Sequence, residues 1–246
     1  RGLGDVYKRQ LYDHVSEAFE ALNEGEEKLK RSIELGVGQL KIGVSSTLCK
    51  YMLLPYLKEF IHRNPHISIS IECQSTNETL KLLDDDKIDI GLIGKPASLK
   101  TFNFYYLDNI EDIFVTTKDY LRNLSARGVK KSEILQNSTL MLLDKGNMTR
   151  KYIDDYLQEN QIHVKDSIDI SNMDLLIDFA KIGVGVACVI KSIVSKELAD
   201  GTLIEIPLGI PIHKREVGFA YKESSKLSTS LQTFIKFYES YTPEDF

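Results

Sequence analysis

The chain has 246 residues and a formal net charge of −5, from 31 basic and 36 acidic side chains. An apolar share of 42% and a charged share of 27% are typical of a globular protein and exclude a disordered or fibrous one. The mild acidity gives no sequence-wide footprint for nucleic acid, and no apolar run approaches the roughly 20 residues that span a bilayer. The first ten residues lack the apolar stretch of a secretory signal, so we expect a cytoplasmic protein that does not bind membranes.

The first predicted element is a long amphipathic helix over residues 11–35. Its apolar residues recur at steps of three and four, which places them on one narrow stripe of an otherwise charged surface. The average spacing is close to the 3.5-residue period of a coiled coil, so we expect the helix to pair with a partner helix. The alternative is a surface helix on its own domain. The residues expected at the helix pairing are Leu11, Val15, Ala18, Leu22 and Leu29.

Strands and helices alternate from residue 39 onward. Apolar runs and period-2 alternation predict strands over residues 40–44, 67–71, 88–93, 102–107, 110–116, 139–143, 167–170, 184–190, 203–207 and 216–221. Polar helix starts followed by apolar residues at helical spacing predict helices over residues 45–64, 75–85, 146–160, 173–181, 193–198 and 227–238. In the helix over 173–181, Leu175, Leu176 and Phe179 are expected to face the core. The alternation predicts a mixed α/β fold with largely parallel sheets.

Prolines flank the middle of the chain and suggest two crossings between lobes. Pro96 lies at one side, and Pro207 and Pro211 lie at the other. We therefore expect lobe 1 to be built from residues 38–95 and 208–246, and lobe 2 from residues 96–207. The linker helix takes residues 11–36, and residues 1–10 are expected to be a leader that is not native to the chain.

The sequence carries weak signals for catalysis. It has neither a Gly-x-Ser-x-Gly nucleophile elbow nor a phosphate-binding Gly-x-x-x-x-Gly-Lys-Ser/Thr loop. Gly183-Val184-Gly185 follows a helix and lacks the third glycine of a dinucleotide fingerprint, so a tight turn is the favoured interpretation. Asp84-Asp85-Asp86 is interpreted as a solvated helix end rather than a metal site. We expect no catalytic residues, no cofactor and no metal.

Three cysteines, Cys49, Cys73 and Cys188, lie far apart in the sequence. They cannot all pair internally, and their spacing matches no zinc or redox motif. We expect them to be small core residues in a reducing compartment.

Polar helix starts give a better signal for binding. Ser45-Ser46-Thr47 and Gln74–Asn77 each follow the carboxyl end of a predicted strand, and so do Gly146–Thr149 and Ser171-Asn172. A helix start offers unpaired N–H groups and the positive end of the helix dipole, which favour an anion such as a carboxylate. Each hydroxyl has an alternative use as the cap of its own helix. Two such starts in each half favour a shared cleft at the carboxyl ends of the strands.

The order and spacing of three stretches resemble the LysR-type transcriptional regulators. Gly38–Gly43 leads from the long helix into the serine/threonine helix start, and Leu80–Ile93 looks like the family's helix, acidic turn and following strand. Ser171–Leu203 is the most specific match. The resemblance covers nearly all of residues 11–240. It implies a two-lobed effector domain like the type II periplasmic binding proteins, preceded by a long linker helix that pairs in a dimer or tetramer.

In that family a small inducer lies between the lobes and controls DNA binding by the oligomer. Carried over position by position, the inducer pocket would comprise Ser45, Ser46, Thr47, Ser75, Thr76, Ile93, Gly146, Asn147, Thr149, Asn172, Gly185 and Val186. The serines and threonines suit a carboxylate or another anion.

The chain departs from the family pattern in two places. The N-terminal winged helix-turn-helix is missing before the linker, so we expect DNA contact only through that absent domain. Residues 118–131 stand where the family has a short histidine-proline turn. The alternative is a solute-binding protein or dehydratase-like enzyme of the same fold, against which the linker helix favours a regulator. A pure oligomerisation module would need no cleft, and the two polar helix starts in each lobe argue against it.

Overall fold

The computed structural model describes residues 3–34, 38–96, 98, 101–223 and 227–243. The strands are β1 Gln39–Val44, β2 Ser68–Cys73, β3 Ile90–Gly94, β4 Phe102–Ile110, β5 Asp112–Thr116, β6 Thr139–Leu143, β7 Asp166–Ile170, β8 Val186–Ile190, β9 Ile204–Glu205 and β10 Arg215–Lys222. The helices are α1 Leu3–Glu34, α2 Ser46–Leu48, α3 Leu54–Arg63, α4 Thr76–Asp84, α5 Lys118–Ala126, α6 Ile134–Asn137, α7 Met148–Glu159, α8 Met173–Lys181, α9 Ser195–Asp200 and α10 Thr229–Ser240. A π-helical segment, Cys49–Leu53, joins α2 to α3.

The strands form two five-stranded sheets, one in each lobe. The first has the order β2-β1-β3-β10-β4, and the second has the order β7-β6-β8-β5-β9. In each sheet the first three strands are parallel and the other two pairings are antiparallel. The mixed α/β fold is confirmed. Four of the five strands in each sheet run in one direction, as largely parallel sheets require, and only β10 and β5 are reversed. β5 and β10 enter from the opposite lobe at the carboxyl ends of the parallel strands, so they run back antiparallel.

The first crossing between the lobes lies later in the chain than the sequence indicated. β4 pairs with β10 along its whole length, from Phe102 opposite Lys222 to Ile110 opposite Arg215. It therefore belongs to the first sheet, although the expected boundary at residue 96 placed it in lobe 2. The chain crosses at Glu111, between β4 and β5, and returns between β9 and β10 through the segment that contains Pro207 and Pro211. A long antiparallel ladder to β10 outweighs the local turn signal at Pro96.

An aromatic cluster attaches the C-terminal helix to the first sheet. Phe234 on α10 is fully buried, with its ring 4.9 Å from that of Phe60 on α3 and 5.2 Å from that of Phe219 on β10. Phe237 and Tyr238 continue the cluster along α10. Residues near the C-terminus thus complete the lobe that begins at residue 39.

The buried face of α8 differs from the expected one. Leu176 is fully buried, but Leu175 is 45% exposed and Phe179 is 39% exposed. The buried residues of the helix are Met173, Leu176, Ile177 and Ala180. That set fits one stripe of a 3.6-residue period, whereas Leu175, Phe179 and the exposed Ile182 lie on a second apolar stripe.

Two helices extend beyond the expectations from sequence. α1 begins at Leu3, so most of the residues assigned to the leader belong to the same helix as the linker. α5 occupies Lys118–Ala126, where no helix was predicted; its N-cap is Thr117, whose side chain accepts from the Tyr120 N–H. Among the residues described, no helix is both long and apolar enough to cross a membrane.

The cysteines do not share one environment. Cys188 is buried, Cys49 is half-buried and Cys73 is exposed. The expectation of three core residues is therefore wrong for Cys73, because it ends β2, the edge strand of the first sheet.

Candidate functional site

A cavity of about 500 Å³ lies between the two lobes, at the carboxyl ends of the parallel strands. Both lobes and both crossings contribute to it. Its wall is formed by Ser45, Thr47, Leu48, Ser75, Thr76, Gly94, Lys95, Pro96, Ile110, Asn147, Met148, Thr149, Tyr152, Ile190, Lys214, Arg215 and Glu216. The volume suits a small metabolite.

Two helix starts reach the cavity from the first lobe. The Ser45 hydroxyl caps α2 by accepting from the Leu48 N–H at 3.3 Å. Ser75 caps α4 in the same way, with its hydroxyl 3.3 Å from the Glu78 N–H. Each start leaves N–H groups of the first turn without a partner inside the helix. Both serines are thus caps of their own helices and neighbours of the cleft at once.

The second lobe contributes the start of α7. The Asn147 side chain accepts from the Thr149 N–H at 2.8 Å and thereby caps this helix. The Thr149 hydroxyl in turn lies 3.3 Å from the Arg215 guanidinium, which comes from the other lobe. Helix starts of both lobes therefore face one another across the cavity.

A buried ion pair joins the lobes at the back of the cleft. Arg215, the first residue of β10, donates two hydrogen bonds to Asp112, the first residue of β5, at 2.8 and 2.9 Å. The Asp112 side chain is completely buried, and that of Arg215 is 15% exposed. Burial raises the pKa of the Asp112 carboxyl, while the Arg215 charge opposes the rise. The guanidinium also stacks over the Tyr152 ring, 5.2 Å from its centre.

Sequence reasoning missed this pair. The sequence predicts a strand over residues 110–116, and the aspartate within that apolar run is the available signal, because a buried carboxylate requires a partner. The identity of that partner, 103 residues further along the chain, was not encoded locally.

The other two basic residues of the cavity wall also have acidic partners. Lys95 pairs with Glu216 on the neighbouring strand. The Lys214 Nζ atom lies 2.9 Å from a carboxylate oxygen of Glu111. Hydrogen bonds from Lys214 and from Lys191 lower the pKa of the Glu111 carboxyl. Each basic side chain of the cavity wall, Lys95, Lys214 and Arg215, therefore has an acidic partner that offsets its charge.

A second contact between the lobes lies outside the cavity. Lys50 and Tyr51, both in the π-helical segment, donate to the same oxygen of Asp174 on α8, at 2.7 and 2.5 Å. These hydrogen bonds, first that of Lys50 and then that of Tyr51, lower the pKa of the Asp174 carboxyl.

The residues anticipated from the sequence divide into two groups. The structure brings six of them to the cavity wall: Ser45, Thr47, Ser75, Thr76, Asn147 and Thr149. The other six lie off that wall: Ser46 and Gly146 are exposed, Ile93 and Val186 are buried in the core, Asn172 caps α8, and Gly185 packs against Thr139. A Cβ at Gly185 would lie 2.2 Å from the Thr139 carbonyl oxygen, so its glycine serves packing.

Comparison with known proteins identifies the family. Residues 34–242 match the model of the LysR substrate binding domain. The chain belongs to this family. The LysR domain is 23% identical over 201 residues to the uncharacterised HTH-type transcriptional regulator YeiE of Escherichia coli K12, covering 81% of this chain and 67% of that protein. The chain thus spans about two thirds of the length of that relative.

Solved structures share the fold of the LysR domain. The regulatory domain of Synechocystis CcmR, solved in complex with 2-PG, superposes with a TM-score of 0.68 at 19% identity, over 81% of this chain and 95% of that one. The effector-binding domain of QuiR, solved with shikimate, superposes with a TM-score of 0.65 at 16% identity, over 81% and 94%. The two-lobed, periplasmic-binding-protein-like effector fold is confirmed. The relatives are transcriptional regulators and do not favour the solute-binding or dehydratase alternatives.

Proposed function

We propose that this LysR domain binds a small anionic effector in the cavity between its lobes. The observation that carries the proposal is the convergence of helix starts from both lobes and the Arg215 guanidinium on one cavity of about 500 Å³. Unpaired N–H groups at helix starts and the positive dipole end favour negative charge. The shikimate complex of QuiR supports a carboxylate, since shikimate carries one.

Arg215 is proposed to orient the anion rather than to supply an isolated positive charge. Its Nε and Nη2 atoms donate to Asp112. Its Nη1 atom lies beside Gly94 in the cavity wall, 4.0 Å from the place that a Cβ atom on that glycine would occupy. The Asp112 contact holds the guanidinium in one geometry, which reduces the entropy lost on binding. An effector that contacts both lobes shifts the protein toward the closed arrangement by its differential affinity for that form.

A panel of small carboxylates, phosphate esters and sulfate tests this proposal by thermal shift. We expect at least one anion to raise the unfolding midpoint in a concentration-dependent way, and its neutral ester or amide to raise it less. Failure of every anion, or equal stabilisation by the neutral analogue, would contradict an anion-selective cleft.

Thr47→Val is expected to weaken the binding of the anion found in that panel. Thr47 is half-buried in the cavity wall, and valine keeps its shape but removes the hydroxyl. Leaving the hydrogen-bond partner of this hydroxyl unpaired costs about 1–3 kcal/mol of binding free energy. The measurement is calorimetry with the selected anion. Ser46→Ala, at the exposed neighbour that lies off the wall, is the matched control and should leave the affinity unchanged. Equal affinities for the wild type and Thr47→Val would remove Thr47 from the site.

We further propose that effector binding controls transcription through a DNA-binding segment that is not part of this chain. The regulator names of the relatives support this role, and the family model matches only the substrate-binding part. The proposed setting is the cytoplasm, where DNA is reached directly. We propose no catalytic role and no cofactor for this domain; among the described residues, no group of three or more potential metal ligands occurs.

The first helix is proposed to mediate self-association into a dimer or tetramer. Leu11 is 65% exposed, Val15 is 44% exposed and Leu22 is 68% exposed, so the described residues leave these positions of the α1 stripe uncovered. Ala18 is also exposed, and the side chain of Leu29 lies outside the described part of the structure. An apolar stripe of coiled-coil period on a 32-residue helix suits a partner helix.

Leu22→Glu is expected to reduce the molar mass measured by light scattering toward that of the monomer, because it places a charge on the pairing stripe. Asn23→Glu introduces the same residue one position away, off the stripe, and should leave the mass unchanged. A Leu22→Glu variant with the wild-type mass would refute pairing through this stripe.

A further inference from the structure

Two of the three cysteines meet at the edge of the first sheet. Cys73 is the last residue of β2 and lies opposite Val44, the last residue of β1. Cys49 follows Val44 by five residues, in the first helical turn after that strand, where its N–H donates to the Ser45 carbonyl at 2.8 Å. The next residue after Cys73, Gln74, donates to the Val44 carbonyl at 3.0 Å. Both cysteines are therefore placed against the same strand end, near enough for Cys73 to affect the Cys49 thiol.

The two thiols differ in their access to solvent. Cys73 is exposed, whereas Cys49 is half-buried, and burial together with the neighbouring Cys73 raises the pKa of the Cys49 thiol. An oxidant therefore reaches Cys73 first, and Cys49 is the adjacent group that can resolve the product. Cys188 is buried in β8 of the other lobe, which separates it from this chemistry.

We propose that Cys49 and Cys73 form a reversible intramolecular disulfide when the protein meets a hydroperoxide. The Cys73 thiolate attacks one peroxide oxygen, which breaks the O–O bond and gives a sulfenic acid and water or an alcohol. The Cys49 sulfur then attacks the Cys73 sulfur, so that an S–S bond forms and a second water leaves. Two thiols are oxidised and one peroxide is reduced; a dithiol reductant reverses the bond by exchange.

The disulfide would act on the π-helical segment Cys49–Leu53, which contacts the other lobe. Cys49 is the first residue of the π-helical segment, in which Lys50 and Tyr51 donate to Asp174 of lobe 2. Cys73 lies two residues before Ser75, which caps α4 at the cavity. A bond between the two cysteines ties the π-helical segment to the end of β2 and restricts its movement. π-helical segments are frequent at functional sites, which fits a role as a movable element. This redox input does not depend on the identity of the effector.

Mass spectrometry of the reduced full chain treated with hydrogen peroxide tests the pairing. We expect a loss of about 2 Da, one titratable thiol remaining of the three, and a linked peptide pair that contains Cys49 and Cys73 and disappears with dithiothreitol. Cys188→Ser should still lose about 2 Da. Cys49→Ser should instead retain an oxygen adduct on Cys73, and Cys73→Ser should stay unmodified. A wild-type chain that ends with an oxygen adduct on Cys73 or with only intermolecular linkage overturns the proposal.

Hydrogen exchange of the same samples tests the consequence for the π-helical segment. Peroxide should slow amide exchange in residues 45–53 of the wild type, dithiothreitol should restore it, and Cys49→Ser should show no such change. Exchange in residues 45–53 that is unchanged by disulfide formation would overturn the inferred link between the thiol pair and the lobes. Because neither readout uses an effector, failure here leaves the proposed binding function intact, and failure to bind anions leaves this inference intact.

Discussion

Asp112→Ala should lower the free energy of unfolding by about 3–5 kcal/mol, because it leaves the Arg215 charge unpaired at the junction of the lobes. The Asp112 side chain is completely buried and receives two hydrogen bonds from Arg215 at 2.8 and 2.9 Å. Removing one partner of a buried pair costs more than the pair itself contributes, since the desolvated partner remains. Urea unfolding followed by circular dichroism measures the loss.

Asp174→Ala is the matched control for this variant. Its carboxylate also joins the lobes, through Lys50, but the two side chains are 49% and 53% exposed. Water screens such a pair, so the loss of stability should stay within about 1 kcal/mol. Equal losses for Asp112→Ala and Asp174→Ala would contradict the special role of burial. The double variant Asp112→Ala/Arg215→Ala should be more stable than Asp112→Ala alone, because no unpaired charge is left.

Phe234→Ala should destabilise the first lobe by a similar amount, about 3–5 kcal/mol, through the cavity left in the aromatic cluster. The Phe234 side chain is fully buried, and its ring lies 4.9 Å from that of Phe60 and 5.2 Å from that of Phe219. These three residues come from α10, α3 and β10, so the variant loosens the helix that returns the end of the chain to lobe 1. Thermal and urea unfolding measure the effect.

Phe179→Ala provides the comparison within the other lobe. Its side chain is 39% exposed on α8, so truncation removes less buried area, and the loss should be well under half that of Phe234→Ala. An equal or larger loss at Phe179 would show that α8 packs more tightly than its exposure indicates. A small loss at Phe234 would mean that the aromatic cluster does not hold α10 in place.

The sequence predicted the helix starts of the candidate site but not its charged residues. Ser45, Ser75 and Asn147 were identified as polar helix starts, and each one caps the helix that it precedes at the cavity wall. A cap is a local interaction over two or three residues, so the order of residues encodes it. Arg215 was missed because its partner and its place in the wall depend on the meeting of two strands from different lobes.

The sequence by itself determined most of the local elements and the mixed α/β class. Thr139–Leu143 and Met173–Lys181 were predicted with the bounds that the structure has, because apolar periodicity and capping act within a single element. Only the tertiary structure decided that β4 belongs to the first sheet, which face of α8 is buried, and that Asp112 meets Arg215. Those outcomes depend on contacts between residues far apart in the chain, where long-range strand pairing and burial outweigh local propensity.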